Sequence, residues 1–131
     1  MIYTPHTHPR SAELNNVVQG TLKGSVTAEN GAPHMQHTLN QYQMTVFPQG
    51  AMHTEWNPDC VPAVFVASFS NEDPGVQQSL QTLVGFEDDV IRAAMSGDRV
   101  SMGRIWMRFG STYRRMWRWG WRAACRSVRL G

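Results

Sequence analysis

His6 and His8 stand two apart in the run Thr4-Pro5-His6-Thr7-His8-Pro9. In an extended segment that spacing points both imidazoles to one face. Pro9 ends the segment, and Glu13 enters the next run. His53 follows the turn Pro48-Gln49-Gly50, which can deliver it to the same place. Three neutral imidazoles and one carboxylate form a mixed nitrogen and oxygen donor set for a divalent metal. With the ion bound, the set carries a charge of about +1, and a six-coordinate ion keeps two positions open for water, dioxygen or a small carboxylate. All-thiolate zinc chemistry is excluded, because Cys60 and Cys125 are the only cysteines. The remaining histidines, His34 and His37, flank a hairpin and are expected to face solvent.

Short strands must position these groups. Leu14–Val18 ends at Gly20, and Thr21–Thr27 leads into Asn30-Gly31, a strong hairpin dipeptide. His34–Leu39, Tyr42–Phe47 and Met52–Trp56 follow. Ala63–Phe69 is continuously apolar and reads as a buried strand. Strands this short, at this spacing, predict an all-β sandwich or barrel. After the turn Asp73-Pro74-Gly75, the stretches Val76–Leu83 and Asp88–Met95 have helical spacing, the second with acidic residues at its start.

A length of 131 residues bounds the chain to one domain. The formal charge of +2 hides a sharp division. Residues 1–96 hold three basic and nine acidic residues, a net of 3 − 9 = −6, whereas 97–131 hold nine Arg against Asp98, a net of 9 − 1 = +8. No apolar run approaches the roughly 20 residues of a membrane span. The first residues carry no signal-peptide pattern.

The spacing pattern is more specific than any one histidine. His6-x-His8, four residues, Glu13, six residues and Gly20 form one motif; Pro48-x-Gly50, two residues, His53, three residues and Asn57 form a second. Together with "TPHTHPRSAELNNVVQG", "VFPQGAMHTEWN" and "PAVFVASFSNEDPGVQ" they resemble germin-like proteins of the cupin superfamily, in particular the spherulin-type microbial branch, across residues 2–96. The resemblance implies a jelly-roll β-barrel over 1–83, with a C-terminal helical region starting in 84–96. It implies manganese, or another divalent metal, on His6, His8, Glu13 and His53, with Pro48 and Asn57 shaping the turn of the second motif. It also implies secretion to the extracellular space or cell wall, homo-oligomers, and redox chemistry on superoxide or a small oxygen-rich molecule such as oxalate. The alternative is a non-catalytic cell-wall or storage-type binding protein. The chain begins five residues before His6, and so reads as truncated relative to the family. Oxalate-oxidising members carry an asparagine three residues before the first histidine. Tyr3 stands there instead, which disfavours oxalate oxidation, and its place in a terminal segment suggests mobility.

The tail, 97–131, interleaves Arg with Trp, a composition suited to anionic membranes or single-stranded nucleic acid. A second reading explains more. Tyr113–Gly120 can be encoded by TAC CGG CGA ATG TGG CGC TGG GGN. Read one base earlier, after an A, these codons give "IPANVALG", which resembles the C-terminal helical segment of a germin-like protein. The expectation is therefore a frame change near 96–101 and a non-native tail with no nucleic-acid partner. The tail also lacks a clean apolar face.

Overall fold

The structure, a computed structural model, describes residues 2–95. The Arg- and Trp-rich tail and its expected frame change lie outside the described residues. Unit one, Met1–Ser79, holds every strand. In chain order these are β1 (His6–Thr7), β2 (Glu13–Gln19), β3 (Leu22–Thr27), β4 (Met35–Leu39), β5 (Met44–Phe47), β6 (Met52–Trp56), β7 (Val64–Phe69) and β8 (Gln77–Gln78). They form two antiparallel sheets, one of order β4-β3-β6-β1-β8 and one of order β5-β2-β7.

The period of two decides what faces inward. On β2, Glu13, Asn15 and Val17 are buried, while Leu14 and Asn16 between them are half-buried. On β6 the inward residues are His53 and Glu55. One apolar cluster joins Val17, Leu22 and Leu39, with Phe65 packed against it, and so takes residues from both sheets. A second joins Val26, Phe47 and Ala51. The interior between the sheets is therefore part apolar and part polar. Gly20 closes the β2–β3 turn at φ 77°, and a Cβ there would lie 2.9 Å from the Pro62 carbonyl oxygen, so both conformation and space require glycine.

Three strand expectations change. The apolar run of β7 is exposed along most of its length, not buried. It is the edge of the three-stranded sheet, and Val64 and Val66 belong, with Met44 and Val46 of β5, to an exposed apolar set. Gln77–Gln78, expected at the start of a helix, form β8 because they pair with Thr7 and His6 across the sheet edge. Tyr42 does not begin β5. It sits in the preceding turn at φ 66°.

The second unit begins at Leu80 and is described as far as residue 95. Helix α1 (Ser79–Leu83) bridges the boundary, and α2 (Asp88–Ala94) follows. Asp88 and Asp89 lie in the first turn of α2, where negative charge meets the positive end of the helix dipole.

Candidate metal centre

β1 and β6 pair so that His6 and His53 are direct cross-strand partners. His8 lies one residue past β1, and Glu13 opens β2 on the facing sheet. The three imidazole rings lie 4.4 Å (His6–His53), 5.1 Å (His6–His8) and 5.4 Å (His8–His53) apart. Glu13 Oε2 is 2.8 Å from His8 Nε2 and 3.0 Å from His53 Nε2. One donor atom from each of the four residues lies within 4.8 Å of the others, and all four residues are buried. The structure thus brings together every ligand expected from the sequence.

Each ring is held from behind. His6 Nδ1 meets Thr4 O at 2.8 Å, His8 Nδ1 meets Gly75 O at 2.6 Å, and His53 Nδ1 meets Ala51 O at 2.9 Å. A carbonyl oxygen only accepts, so each Nδ1 carries the proton. The ring's other nitrogen is then left with a free lone pair in the neutral form. Yet His8 and His53 both turn Nε2 to the same carboxylate oxygen, which also only accepts. Without a cation, even a protonated Glu13 could serve only one of the two rings, and the other contact would set one acceptor against another. A divalent ion between the Nε2 atoms and Glu13 removes the conflict, and this orientation by second hydrogen bonds is characteristic of metal-bound histidine. The residues present fit the ion.

The electrostatics carry the same strain. Burial alone would lift the Glu13 carboxyl, but the hydrogen bond from His53 and the charges of His53, His8 and His6 hold it below the ordinary value. Burial pulls His53 down, yet Glu13, the Ala51 carbonyl and the charge of Glu55 raise it overall. His6 is lowered, mainly by burial.

Elements far apart in sequence fix this arrangement. Arg10 bonds both the backbone oxygen of Asp73 at 3.0 Å and its carboxylate at 2.7 Å, holding the turn that presents Gly75 O to His8. Gly50 N donates to His8 O at 3.0 Å, and Ala51 N to Pro48 O at 3.1 Å, so the second motif's turn grips the first motif directly. Asn57 does not act on that turn. Its amide donates to Val61 O and its oxygen accepts from Asp59 N, which shapes the loop after β6. Phe47 stacks on His53 at 4.3 Å and 12°, and Phe69 meets His8 edge-on at 4.8 Å.

Two buried polar residues escaped the sequence reading. Glu55, 2% exposed, places Oε1 3.7 Å from His53 Nε2, and Asn15, fully buried, donates to that oxygen at 3.1 Å. Burial pushes the Glu55 carboxyl up to about 7, with Glu13 adding to the rise and His53 and Asn15 opposing it. The period of two contained the signal: Glu55 is two residues beyond His53, and Asn15 two beyond Glu13.

The solvent-facing expectation fails for His37. Its ring lies over Gly24, its cross-strand partner, and faces Phe47 with centroids 5.7 Å apart. Gly24 has no side chain, and His37 occupies the space. Burial lowers its basicity. Gly24→Ala would place a methyl on the His37 ring, with Cε1 only 2.7 Å away. The expected cost is about 1–3 kcal/mol in urea unfolding, largely relieved in the double variant with His37→Ala. Equal costs with and without His37 would show that the ring is not what the methyl meets. Tyr3, expected to be mobile, is anchored: its backbone N–H donates to Glu55 O at 2.9 Å, and its ring meets Phe65 edge-on at 6.0 Å.

Comparison with known proteins agrees with this geometry. The sequence model of the family described as Cupin matches residues 2–96. Spherulin-1A of Physarum polycephalum is 45% identical over 95 residues, covering 72% of this chain and 39% of its own. Germin-like protein 4-1 of Oryza sativa subsp. japonica is 37% identical over 115 residues, covering 82% of this chain and 45% of its own. The chain thus spans less than half the length of these two relatives. A solved structure of oxalate oxidase superposes with a TM-score of 0.72 at 27% identity, covering 81% of this chain and 54% of that one.

Proposed function

This chain belongs to the cupin family, among its germin-like members, and we propose that it binds one manganese ion through His6, His8, Glu13 and His53 and carries out redox chemistry on a small oxygen-rich molecule, superoxide ahead of oxalate. The observation that carries the reading is the set of three imidazoles, each fixed at Nδ1 by a backbone carbonyl. Two of them turn Nε2 to Glu13 Oε2. Manganese held there would supply a one-electron couple and a Lewis-acid charge. Glu13 offsets part of that charge, while Phe47 and Phe69 pack against the rings of His53 and His8.

Superoxide is small and singly charged, so an open position on a cationic centre suffices to draw it in. Oxalate needs a placed donor to orient its second carboxylate. Tyr3 offers a phenol on a ring engaged with Phe65, not an amide. An extracellular or cell-wall setting and homo-oligomers belong to the same reading. The exposed apolar residues Val18, Met44, Val46, Val64 and Val66 suit burial against another copy.

The test assays manganese-loaded protein for both reactions beside Glu13→Ala and Tyr3→Asn. Superoxide dismutation should be present and should vanish in Glu13→Ala. Oxalate-dependent peroxide release should be near background and should rise in Tyr3→Asn. Strong peroxide release by the unmodified chain reverses the order of substrates. Dismutation that survives Glu13→Ala removes the centre as its source.

A further inference from the structure

Besides its four metal-facing residues, the interior holds a second buried carboxyl for which the donor set has no use. Glu55 lies on the same face of β6 as His53. Its Oε1 sits 3.7 Å from His53 Nε2, the nitrogen that also faces Glu13. Asn15 reaches it from the other sheet, and in doing so turns its one donor group toward Glu55. Asn15 Oδ1 is left buried with no partner, one of two such side-chain atoms among the described residues. The second is His37 Nε2, on a residue that pairs with Gly24, which in turn pairs with Glu55. Beside His53, then, stands a carboxyl group held by an amide whose own oxygen is orphaned. Together they offer acceptors, and one N–H of the amide is already given to Glu55.

A buried acceptor without a donor is costly, and a ligand that supplies the donor removes that cost. A ligand that brings only acceptors and a second negative charge adds to it. We propose that Glu55, held by Asn15, sets the selectivity of the centre: it favours small ligands with at most one negative charge, above all those that also carry an N–H or O–H donor, and it disfavours dicarboxylates. This rests on the metal-centre reading and deepens it by naming the ligand class. Glu55 acts here on the ligand, not as a metal donor. Its carboxyl lies outside the group of four whose donor atoms converge.

Oxalate and oxamate separate the two properties. They share size and planarity, but oxamate replaces one carboxylate by an amide, removing a charge and adding N–H donors. The experiment measures manganese binding by the full 131-residue chain and by Glu55→Gln using titration calorimetry at pH 8. It then titrates each loaded protein with oxalate and with oxamate, following the Mn(II) electron paramagnetic resonance line shape. The unmodified protein should bind oxamate at least 10-fold more tightly than oxalate. Glu55→Gln, which keeps the shape and supplies an amide donor, should bring oxalate to equal or tighter binding. A merely structural role for the Asn15–Glu55 pair would leave the ratio unmoved, and an unchanged ratio overturns the proposal. So does oxalate binding at least as tightly as oxamate in the unmodified protein, a result that decides the matter even if the variant fails to fold. Absence of manganese uptake by the unmodified chain removes the metal-centre reading itself, and is seen in the first titration before any ligand is added.

Discussion

Glu13→Ala should abolish manganese binding, a loss of at least about 100-fold in affinity, and with it any rise in melting temperature on adding the metal. Changes to groups that only orient a metal ligand already cost about 10–100-fold, and Glu13 is the one carboxylate that both His8 and His53 face. Its removal also leaves two buried imidazoles without their shared anion. The pH dependence follows from the same contacts. His53 is raised above its ordinary value and must lose its proton to hold a metal. Manganese affinity should therefore increase as pH climbs through that raised value. In the metal-free protein, the raised His53 and Glu55 groups stabilise the fold while protonated. The Glu55 contribution is complete below the ordinary carboxyl range and is lost as pH rises through about 7; the His53 contribution is lost as pH rises through its raised value. Glu13, lowered in the fold, contributes in the opposite sense, and its share disappears only as pH falls through its depressed value. Between pH 6 and 8 the metal-free protein should soften while the manganese-loaded one does not. The gap between their melting temperatures should widen, as read by scanning calorimetry. A gap that narrows over this range, or an unchanged manganese affinity in Glu13→Ala, would count against the centre.

What the sequence made legible was local or carried by spacing. His6, His8, Glu13 and His53 follow from a period of two and two fixed-length motifs, and the cross-strand pairing of His6 with His53 completes them. Met52–Trp56 has the same bounds in sequence and structure because turn residues flank it. What stayed hidden depends on partners elsewhere in the chain. β8 exists because Gln77 and Gln78 find the edge of β1, and nothing in a glutamine pair announces that. His37 turns inward because its neighbour across the sheet is Gly24. The apolar run of β7 reads as core, yet pairing places it at a sheet edge, since hydrophobicity alone does not say which apolar face the fold leaves uncovered. Glu55 and Asn15 lay in plain sight, two residues from His53 and Glu13, but neither completes a motif.

Phe47→Ala should be the most destabilising single change in the apolar interior, at about 3–5 kcal/mol. Phe47 is fully buried, and it belongs to the cluster with Val26 and Ala51. Its neighbours cannot easily collapse into the space it would leave. On one side is His53, whose ring lies parallel at 4.3 Å but is tethered by the Ala51 carbonyl and Glu13. Phe47 also meets His37, whose ring is fitted over Gly24. A cavity bounded by tethered groups stays open, which is the costly case. For a domain whose total stability is on the order of 5–15 kcal/mol, that loss is a large share. The effect should reach the centre as well, because the ring face is what keeps His53 from tilting away from Glu13. Phe47→Leu separates the two contributions. It refills most of the volume and should cost less than about 1.5 kcal/mol, yet it offers no flat surface to the imidazole. In urea unfolding the leucine variant should stand close to the unmodified protein, while its manganese affinity falls by about 10-fold, as expected when a metal ligand loses its orienting support. If Phe47→Ala costs less than about 1 kcal/mol, the aromatic ring is not a keystone of the interior. If Phe47→Leu leaves manganese affinity untouched, backbone tethering alone orients His53, and the stacked ring contributes packing only.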